Sequence, residues 1–350
     1  MSKQFSVVSL FSGGGGLDLG FKAAGFNIIW AIDNNPNAVA SYRRNVSADI
    51  ICSDINDIDP ISIPSADVVI GGPPCQSFSL AGKRQCDDKR GQLVWRYLEI
   101  IKTIAPGAFL FENVIGLLSA KSSNGTKILD ELLHLFSEIG YQLSWQLINA
   151  ADYGVPQLRK RVIIVGMKHH KFVFPEASFN SDGSDGKQKY ISVKEAIGDL
   201  PPAGSAKQIT DHDVPRMSEL DKYIVNHVKP GGNYMDIPDE VPSARIRRLK
   251  KEGGHTTCYG RMLPDKPSYT INTFFNRPNV GCNIHYSEDR LITVREAMRL
   301  QTFPDDYVIV STSKKDKNLI VGNAVPPLLA YKLAKQLYKT LSENSQNHVD

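Results

Sequence analysis

Short apolar runs alternate with amphipathic stretches over the first ~165 residues, and this alternation constrains the fold more than any other feature of the chain. FSVVSLF (5–11) reads as a buried strand, and the LDLGFKAAG after it reads as a helix. NIIWAID (27–33) is a second strand, and in the next helix, PNAVASYRRN, Pro36 takes a first-turn position. A third short run is IICSDI. ADVVIGG (66–72), AFLFEN (108–113) and RVIIVGM (161–167) are further strands, with helical periodicity at 93–104 and 127–139. Strand–helix alternation of this length predicts an α/β fold, a doubly wound and mostly parallel sheet whose ligands gather beyond the carboxyl ends of the strands.

The texture then changes. Residues 176–206 are rich in Gly, Ser, Asp and Pro, which predicts a surface loop and a domain boundary. Up to about residue 290 polar, aromatic and proline residues mix irregularly, with short β-like runs such as SYTINTFF, and a smaller second domain is expected there. Helical periodicity recovers in VREAMRLQ and PLLAYKLAKQLYKTL, and the last helix is expected to pack back on the first sheet. The expected division is therefore a discontinuous large domain, 1–175 with 315–350, and a smaller domain with hinge at 176–314.

Charge adds little. Lys and Arg number 41 against 37 Asp and Glu, a net charge of +4 that permits a polyanionic partner without requiring one. No stretch approaches the ~18 apolar residues that cross a bilayer, and MSKQFSVV lacks the apolar run of a signal peptide. The five cysteines (Cys52, Cys75, Cys86, Cys258, Cys282) are scattered and form no C-x-x-C pair, so reduced thiols in a cytosol fit better than a disulfide framework or a zinc site.

The first strand runs into FSGGGGLDLGF, whose glycines Gly13 to Gly16 can adopt positive φ and let a ligand approach the backbone. A tight strand-to-helix turn alone would need the same residues. The dinucleotide fingerprint G-x-G-x-x-G fails here, because Asp18 or Leu19 occupies the third glycine's place, which leaves room for a ligand without a pyrophosphate. Asp33, ending the second strand, stands where an acidic side chain meets ribose hydroxyls in such folds; it could equally cap the next helix, as could Asn34 or Asn35. Asp54 is either a contact to an adenine amino group or a solvated loop residue.

GGPPCQSFSLAGKR comes after the fourth strand, and Cys75 sits at the bend of a loop stiffened by two glycines and two prolines. Most cysteines are inert core residues. This one lies at the ligand edge of the fold, near Lys83, Arg84, Lys89 and Arg90, and cationic surroundings favour the thiolate. Glu112 ends the next strand, so parallel neighbours would hold Cys75 and Glu112 side by side, unless Glu112 merely caps the next helix. Gln157, Arg159 and Arg161 recur at a spacing of two and share a face if the segment is extended. Two guanidinium groups on one face suit a phosphate or a carbonyl oxygen, and a surface salt-bridge pair is the plainer alternative.

In order along the chain, FSGGGGLDLGF, AIDNN, PPCQSFS, FENVIGL, QLRKR, REAMRLQTFPDDY and VGNAVPP resemble the motifs of the cytosine-5 DNA methyltransferase family. The resemblance implies the S-adenosylmethionine-dependent methyltransferase fold with a target-recognition domain at 176–314. It implies S-adenosyl-L-methionine as cofactor, with S-adenosyl-L-homocysteine as product, in a pocket lined by Phe11, Gly13, Gly15, Asp33, Asn34, Asp54, Pro74, Leu93 and Asn323. Relatives often carry at position 34 an aromatic that stacks on the adenine, so Asn34 is a departure. Cys75 resembles the catalytic nucleophile and Glu112 the partner of cytosine N3. Arg159 and Arg161 resemble the pair that hold the target nucleotide. Arg261 and Thr270 resemble the small domain's DNA contacts, and Gln76, Ser79, Asn272 and Arg277 are expected to join them, with Asn279 also suited to a base edge or phosphate.

On this reading a Cys75 thiolate adds to C6 of a cytosine flipped out of double-stranded DNA. The loop 77–91 would close over the base on hinges at Gly82 and Gly91. Lys229, Arg245, Arg247, Arg248, Lys250 and Lys251 would contribute backbone electrostatics or simply a solvated face. The tRNA-directed branch of the family usually carries a Cys-Phe-Thr signature, which this sequence lacks. The compact form resembles stand-alone enzymes of bacterial restriction–modification systems. That implies a cytoplasmic, nucleoid-associated monomer that shares its target sequence with a companion endonuclease without binding it stably.

Overall fold

The computed structural model describes residues 4–74, 92–122 and 125–346. Cys75, Gln76, Ser79 and the expected closing loop 77–91 lie outside the described residues. The chain divides into two compact units, Met1–Asn149 with Lys160–Glu176 and Pro327–Asp350, and Ala150–Arg159 with Ala177–Pro326.

In the first unit the apolar runs become strands β1 (Ser6–Leu10), β2 (Asn27–Asp33), β3 (Ile50–Cys52), β4 (Val68–Gly71) and β5 (Ala108–Val114). Between them lie helices α1 (Gly16–Ala23), α2 (Pro36–Asn45) and α3 (Gln92–Ile104). After α4 (Ile128–Glu138) the chain adds β6 (Gln142–Asn149) and β8 (Lys160–Met167); the two-residue β7 (Gln157–Leu158) intervenes and belongs to the second unit. The sheet order is β3-β2-β1-β4-β5-β8-β6. β3 to β5 are mutually parallel, and β8 runs antiparallel to both β5 and β6. The expected doubly wound, mostly parallel sheet is present, with an antiparallel strand inserted near one edge.

Burial explains its stability. β4 is buried at every position and β5 at all but its last, the pattern of strands covered on both faces. On one face Tyr97 of α3 meets Phe111 edge-on at 5.2 Å, and Phe136 of α4 packs on Phe109 at 4.4 Å. Each fully buried side chain of this kind contributes roughly 1.5–3 kcal/mol. The Tyr97 hydroxyl is buried yet satisfied, donating to the Leu110 carbonyl at 3.0 Å. The closing helix α10 (Pro327–Gln346) returns to this unit and packs on α1, where the sequence reading placed it on the sheet: a Cβ built at Gly20 would stand 2.4 Å from the Ala330 Cβ, so only glycine permits the approach.

The second unit carries little sheet. Its strands, β7, β9 (Phe179–Asn180), β10 (Gln188–Lys189) and β11 (Ser268–Tyr269), have two residues each, and β7 pairs with β11. Its helices are α5 (Val193–Ile197), α6 (Glu219–His227), α7 (Ala244–Glu252), α8 (Val294–Leu300) and α9 (Lys314–Asn323). A small core gathers Ile224, Val225, Ile237, Val241, Ile246 and Ile284. Backbone that forms no ladder still has carbonyls to satisfy, and buried arginines supply the donors. Arg295 donates to the Thr210, Asp305 and Tyr307 carbonyls, and Arg290 to Leu291 and to the carboxylates of Glu288 and Glu296.

Candidate active site

The carboxyl ends of β1, β2, β4 and β5 stand side by side in the sheet, where doubly wound folds bind their ligands. The chain leaves β1 through Phe11, whose φ of 55° is left-handed, a conformation non-glycine residues hold only where the surroundings impose it. Gly13 and Gly15 come next with φ of 54° and 83°. The turn is fastened to the end of β2: Ser12 N–H donates to the Ile32 carbonyl at 3.0 Å, and Gly13 N–H donates to Asp33 Oδ2 at 2.8 Å. Asp33 Oδ1 accepts from Asn35 N–H at 2.9 Å. Burial lifts the Asp33 carboxyl above its ordinary range, while the two amide hydrogen bonds oppose the rise.

The α2 N-cap is Asn35, which accepts from Asn37 and Ala38, so Asp33 has no capping duty. Asp54 is exposed and caps the short turn Ile55–Asp57 by accepting from Asn56 at 2.9 Å. Asn34 and Pro74 are exposed, and Leu93 is half-buried in the first turn of α3. Among the described residues a Cβ built at Gly13 meets nothing within 4 Å, so there the turn leaves room beside a carboxylate. A ligand with ribose hydroxyls and no pyrophosphate fits such an edge.

Glu112 emerges from β5 beside the end of β4. Its Oε1 takes a 2.8 Å ion pair from Arg161 Nε, and both side chains are nearly buried. The turn after β5 is capped by no side chain, so Glu112 is not a cap. Burial pulls the Arg161 guanidinium below its ordinary pKa against the opposing pull of Glu112. Gly72 completes the arrangement, since a Cβ there would lie 2.7 Å from Glu112 Oε2. Asn113 Nδ2 donates to the Pro73 carbonyl at 3.2 Å, tying β5 to the start of the Pro-Pro-Cys segment. Sequence reasoning assigns no site role to Gly72, one of the two glycines of the Cys75 loop, or to Asn113, which directly follows Glu112.

In the second unit the arginines expected to face substrate turn inward. Gln157 accepts from Ile271 N–H at 2.9 Å and Arg159 donates to the Ile271 carbonyl at 3.0 Å, so the two clamp one residue. Arg159 Nη2 also donates to the carbonyls of Gly322 and Ala324, each at 2.9 Å, on either side of Asn323. Arg159 is fully buried, and in the first unit Arg161 engages Glu112. Arg261 corrects the sequence reading in the same way. Its guanidinium is buried and donates to the carbonyls of Val228, His285, Glu288 and Val225 and to Asp289, which exhausts its five N–H groups.

Asn272 is likewise committed at both ends, donating to Val280 and accepting from Phe274 N–H, each at 2.7 Å. Thr270 is exposed and donates to the Leu158 carbonyl at 2.8 Å. Arg277 is exposed, and so is Asn323 at the end of α9.

Residues 5–339 match the C-5 cytosine-specific DNA methylase family. The chain is 35% identical to the type II methyltransferase M.NgoFVII of Neisseria gonorrhoeae, over 98% of this chain and 89% of that one. It is 36% identical to M1.HphI of Haemophilus parahaemolyticus, covering 96% and 87%. Among solved structures it is similar to a prophage-encoded E. coli protein described as a DNA modification methyltransferase, with a TM-score of 0.64 and 25% identity over 97% of this chain and 99% of that one. A glycine turn beside a carboxylate, a pinned strand-end glutamate and full-length similarity agree: the chain belongs to the C-5 cytosine-specific DNA methylase family and is an S-adenosylmethionine-dependent DNA (cytosine-5) methyltransferase.

Proposed function

We propose that the protein methylates C5 of a cytosine flipped out of duplex DNA, by covalent attack of Cys75 on C6, and that this modification protects host sites from a companion restriction endonuclease. The observation that carries the reading is Glu112, fixed by Arg161 over a glycine that leaves it room, at the end of a strand whose next residue, Asn113, is tied to Pro73.

S-adenosylmethionine supplies an electrophilic methyl group on a sulfonium, and Phe11, Gly13, Gly15, Asp33, Asn34, Asp54, Pro74 and Leu93 would hold it. Cytosine C5 is a poor nucleophile until C6 is attacked. As the Cys75 thiolate bonds to C6, the C5–C6 π pair moves onto C5 and negative charge spreads toward N3. Glu112, transiently protonated, donates to N3 and relieves that charge. Arg161 holds the carboxyl in place through its Nε while its Nη1 donates to the Lys160 carbonyl, which leaves Nη2 to meet the base's O2. C5 would then take the methyl group as the donor's carbon–sulfur bond breaks and S-adenosyl-L-homocysteine leaves, and N3 would return its proton to Glu112. A base removes the C5 proton, the released pair restores the C5–C6 double bond, and the thiolate departs from C6. A stacked base is out of reach of any side chain, which is why the base must leave the duplex.

The protective role is supported by the likeness to type II methyltransferases, and monomeric action in a bacterial cytoplasm near the nucleoid is proposed with it. The test is transfer of labelled methyl from the donor to duplex DNA and to tRNA, with bisulfite sequencing of DNA from expressing cells. Label in duplex DNA at one recurring sequence supports the proposal; label confined to tRNA contradicts it.

A further inference from the structure

Beneath the glycine turn of the first unit lies a buried acid that the methyl-transfer steps do not use. Asp18 stands in the first turn of α1. Its Oδ1 accepts from the Tyr42 hydroxyl of α2 at 2.8 Å, and its Oδ2 has no hydrogen bond among the described residues. The Ser9 hydroxyl of β1 also bears on this carboxyl, and Ser9 Oγ in turn accepts from the Ser12 hydroxyl of the turn at 2.9 Å. All four side chains are buried. Gly15 rests on the same cluster: a Cβ there would stand 2.9 Å from the Tyr42 ring and 2.5 Å from Val46 Cγ2. The turn sits on the acid's own hydrogen-bond partners.

No cation pairs with Asp18 among the described residues. The titratable groups that face it are Tyr42 from α2 and a second carboxyl, Asp33, from the end of β2. β1 and the turn present only the Ser9 and Ser12 hydroxyls, and α10 meets α1 through Ala330 against Gly20. On α1 itself Lys22 donates elsewhere, to the Val46 carbonyl at 2.6 Å. Burial, with a smaller push from Asp33, lifts the Asp18 carboxyl to about 6, so it ionises as pH rises through that value. A carboxylate so placed is poorly screened by water and responds to any charge bound at the turn. Such a charge is what separates the methyl donor from its product. The two share adenine, ribose and amino-acid end, and differ in a sulfonium that becomes a neutral thioether.

We propose that Asp18 is a specificity-determining residue for the cofactor: its buried, unpaired carboxylate favours the cationic donor over the neutral product at the glycine turn, and so eases product release. This rests on the reading of that turn as the donor's site and assigns a discriminating group within it. Being fully buried, Asp18 acts through its charge and not by contact. A cation at the turn stabilises the ionised carboxylate, so by linkage the preference for donor over product grows as Asp18 loses its proton. Asp33, held by the Gly13 and Asn35 amides, lends its charge as well, and its share is common to every variant below.

The test is calorimetric binding of S-adenosyl-L-methionine and of S-adenosyl-L-homocysteine to the whole protein without DNA, between about pH 5 and about pH 7.5. In wild type the preference for donor over product should grow by roughly threefold or more across that range. Asp18→Asn, neutral throughout, should lack this growth. A role confined to holding the turn would change both affinities alike and leave their ratio untouched. Tyr42→Phe keeps the ring under Gly15 and removes the hydroxyl that lowers the Asp18 pKa, so the growth should move to higher pH. This second variant keeps the test decisive where Asp18→Asn fails to fold. A ratio flat with pH in wild type, equal growth in Asp18→Asn, or an unmoved midpoint in Tyr42→Phe would overturn the assignment. Failure of the wild type to bind either ligand at any pH would instead overturn the donor-site reading on which it rests.

Discussion

Replacing Asp18 by asparagine isolates the cost of a charge buried beneath the glycine turn. Asp18 is fully buried; Oδ1 accepts the Tyr42 hydroxyl at 2.8 Å, and Oδ2 has no hydrogen bond among the described residues. Burial pushes the carboxyl up from 3.8 to about 6, against the opposing Ser9 and Tyr42 hydroxyls. The folded state therefore holds this proton more tightly than the unfolded chain. Stability from it is complete below the unfolded pKa and is lost as pH rises through about 6. At about 1.36 kcal/mol per pH unit the full loss is about 3 kcal/mol, of which about 2 develops between about pH 4.5 and 7.5. Asparagine is neutral throughout, so the stability of Asp18→Asn relative to wild type should rise by about 2 kcal/mol over that window. Urea unfolding monitored by tryptophan fluorescence reads the correct unit, because Trp30, Trp95 and Trp145 all lie in the first. A stability difference that stays flat with pH would refute the reasoning.

Three other perturbations probe the two units. Gly72→Ala puts a methyl group 2.7 Å from Glu112 Oε2; turnover should fall by about tenfold or more while donor binding by calorimetry is preserved. Arg159→Ala strands three carbonyls and should lower the second unit's stability by roughly 3–5 kcal/mol, read as lost hydrogen-exchange protection around residues 271 and 322–324. His285 is held near 4 instead of 6.5, chiefly by burial, with its Nδ1 accepting from the Ser287 and Glu288 amides. Its contribution is present above the unfolded pKa and lost as pH falls, by about 2 kcal/mol at about pH 5, so exchange across 259–296 should accelerate on acidification and less so in His285→Gln.

The first unit was readable where physics is local. β2 and α2 begin and end where their apolar run and Pro36 predicted, and of the three residues that could cap α2 the structure uses Asn35. β6 was missed because it is the sheet's edge: only Ser144 and Ile148 of its eight residues are buried, so its sequence carries no apolar run. The second unit was legible only as irregular, since two-residue strands leave no periodicity. Its arginines misled for a related reason. A guanidinium serving as an internal donor to loop carbonyls reads the same in sequence as one facing a phosphate, and Arg159 and Arg261 took the internal part.

The central claim is the covalent bond between Cys75 and cytosine C6. Duplex DNA bearing 5-fluorocytosine at the mapped target position, incubated with protein and methyl donor, tests it directly, because fluorine at C5 blocks the final elimination. The account predicts a denaturant-stable protein–DNA adduct with wild type and none with Cys75→Ser, whose donor binding is retained. No adduct with wild type, or an equal adduct with Cys75→Ser, would contradict it.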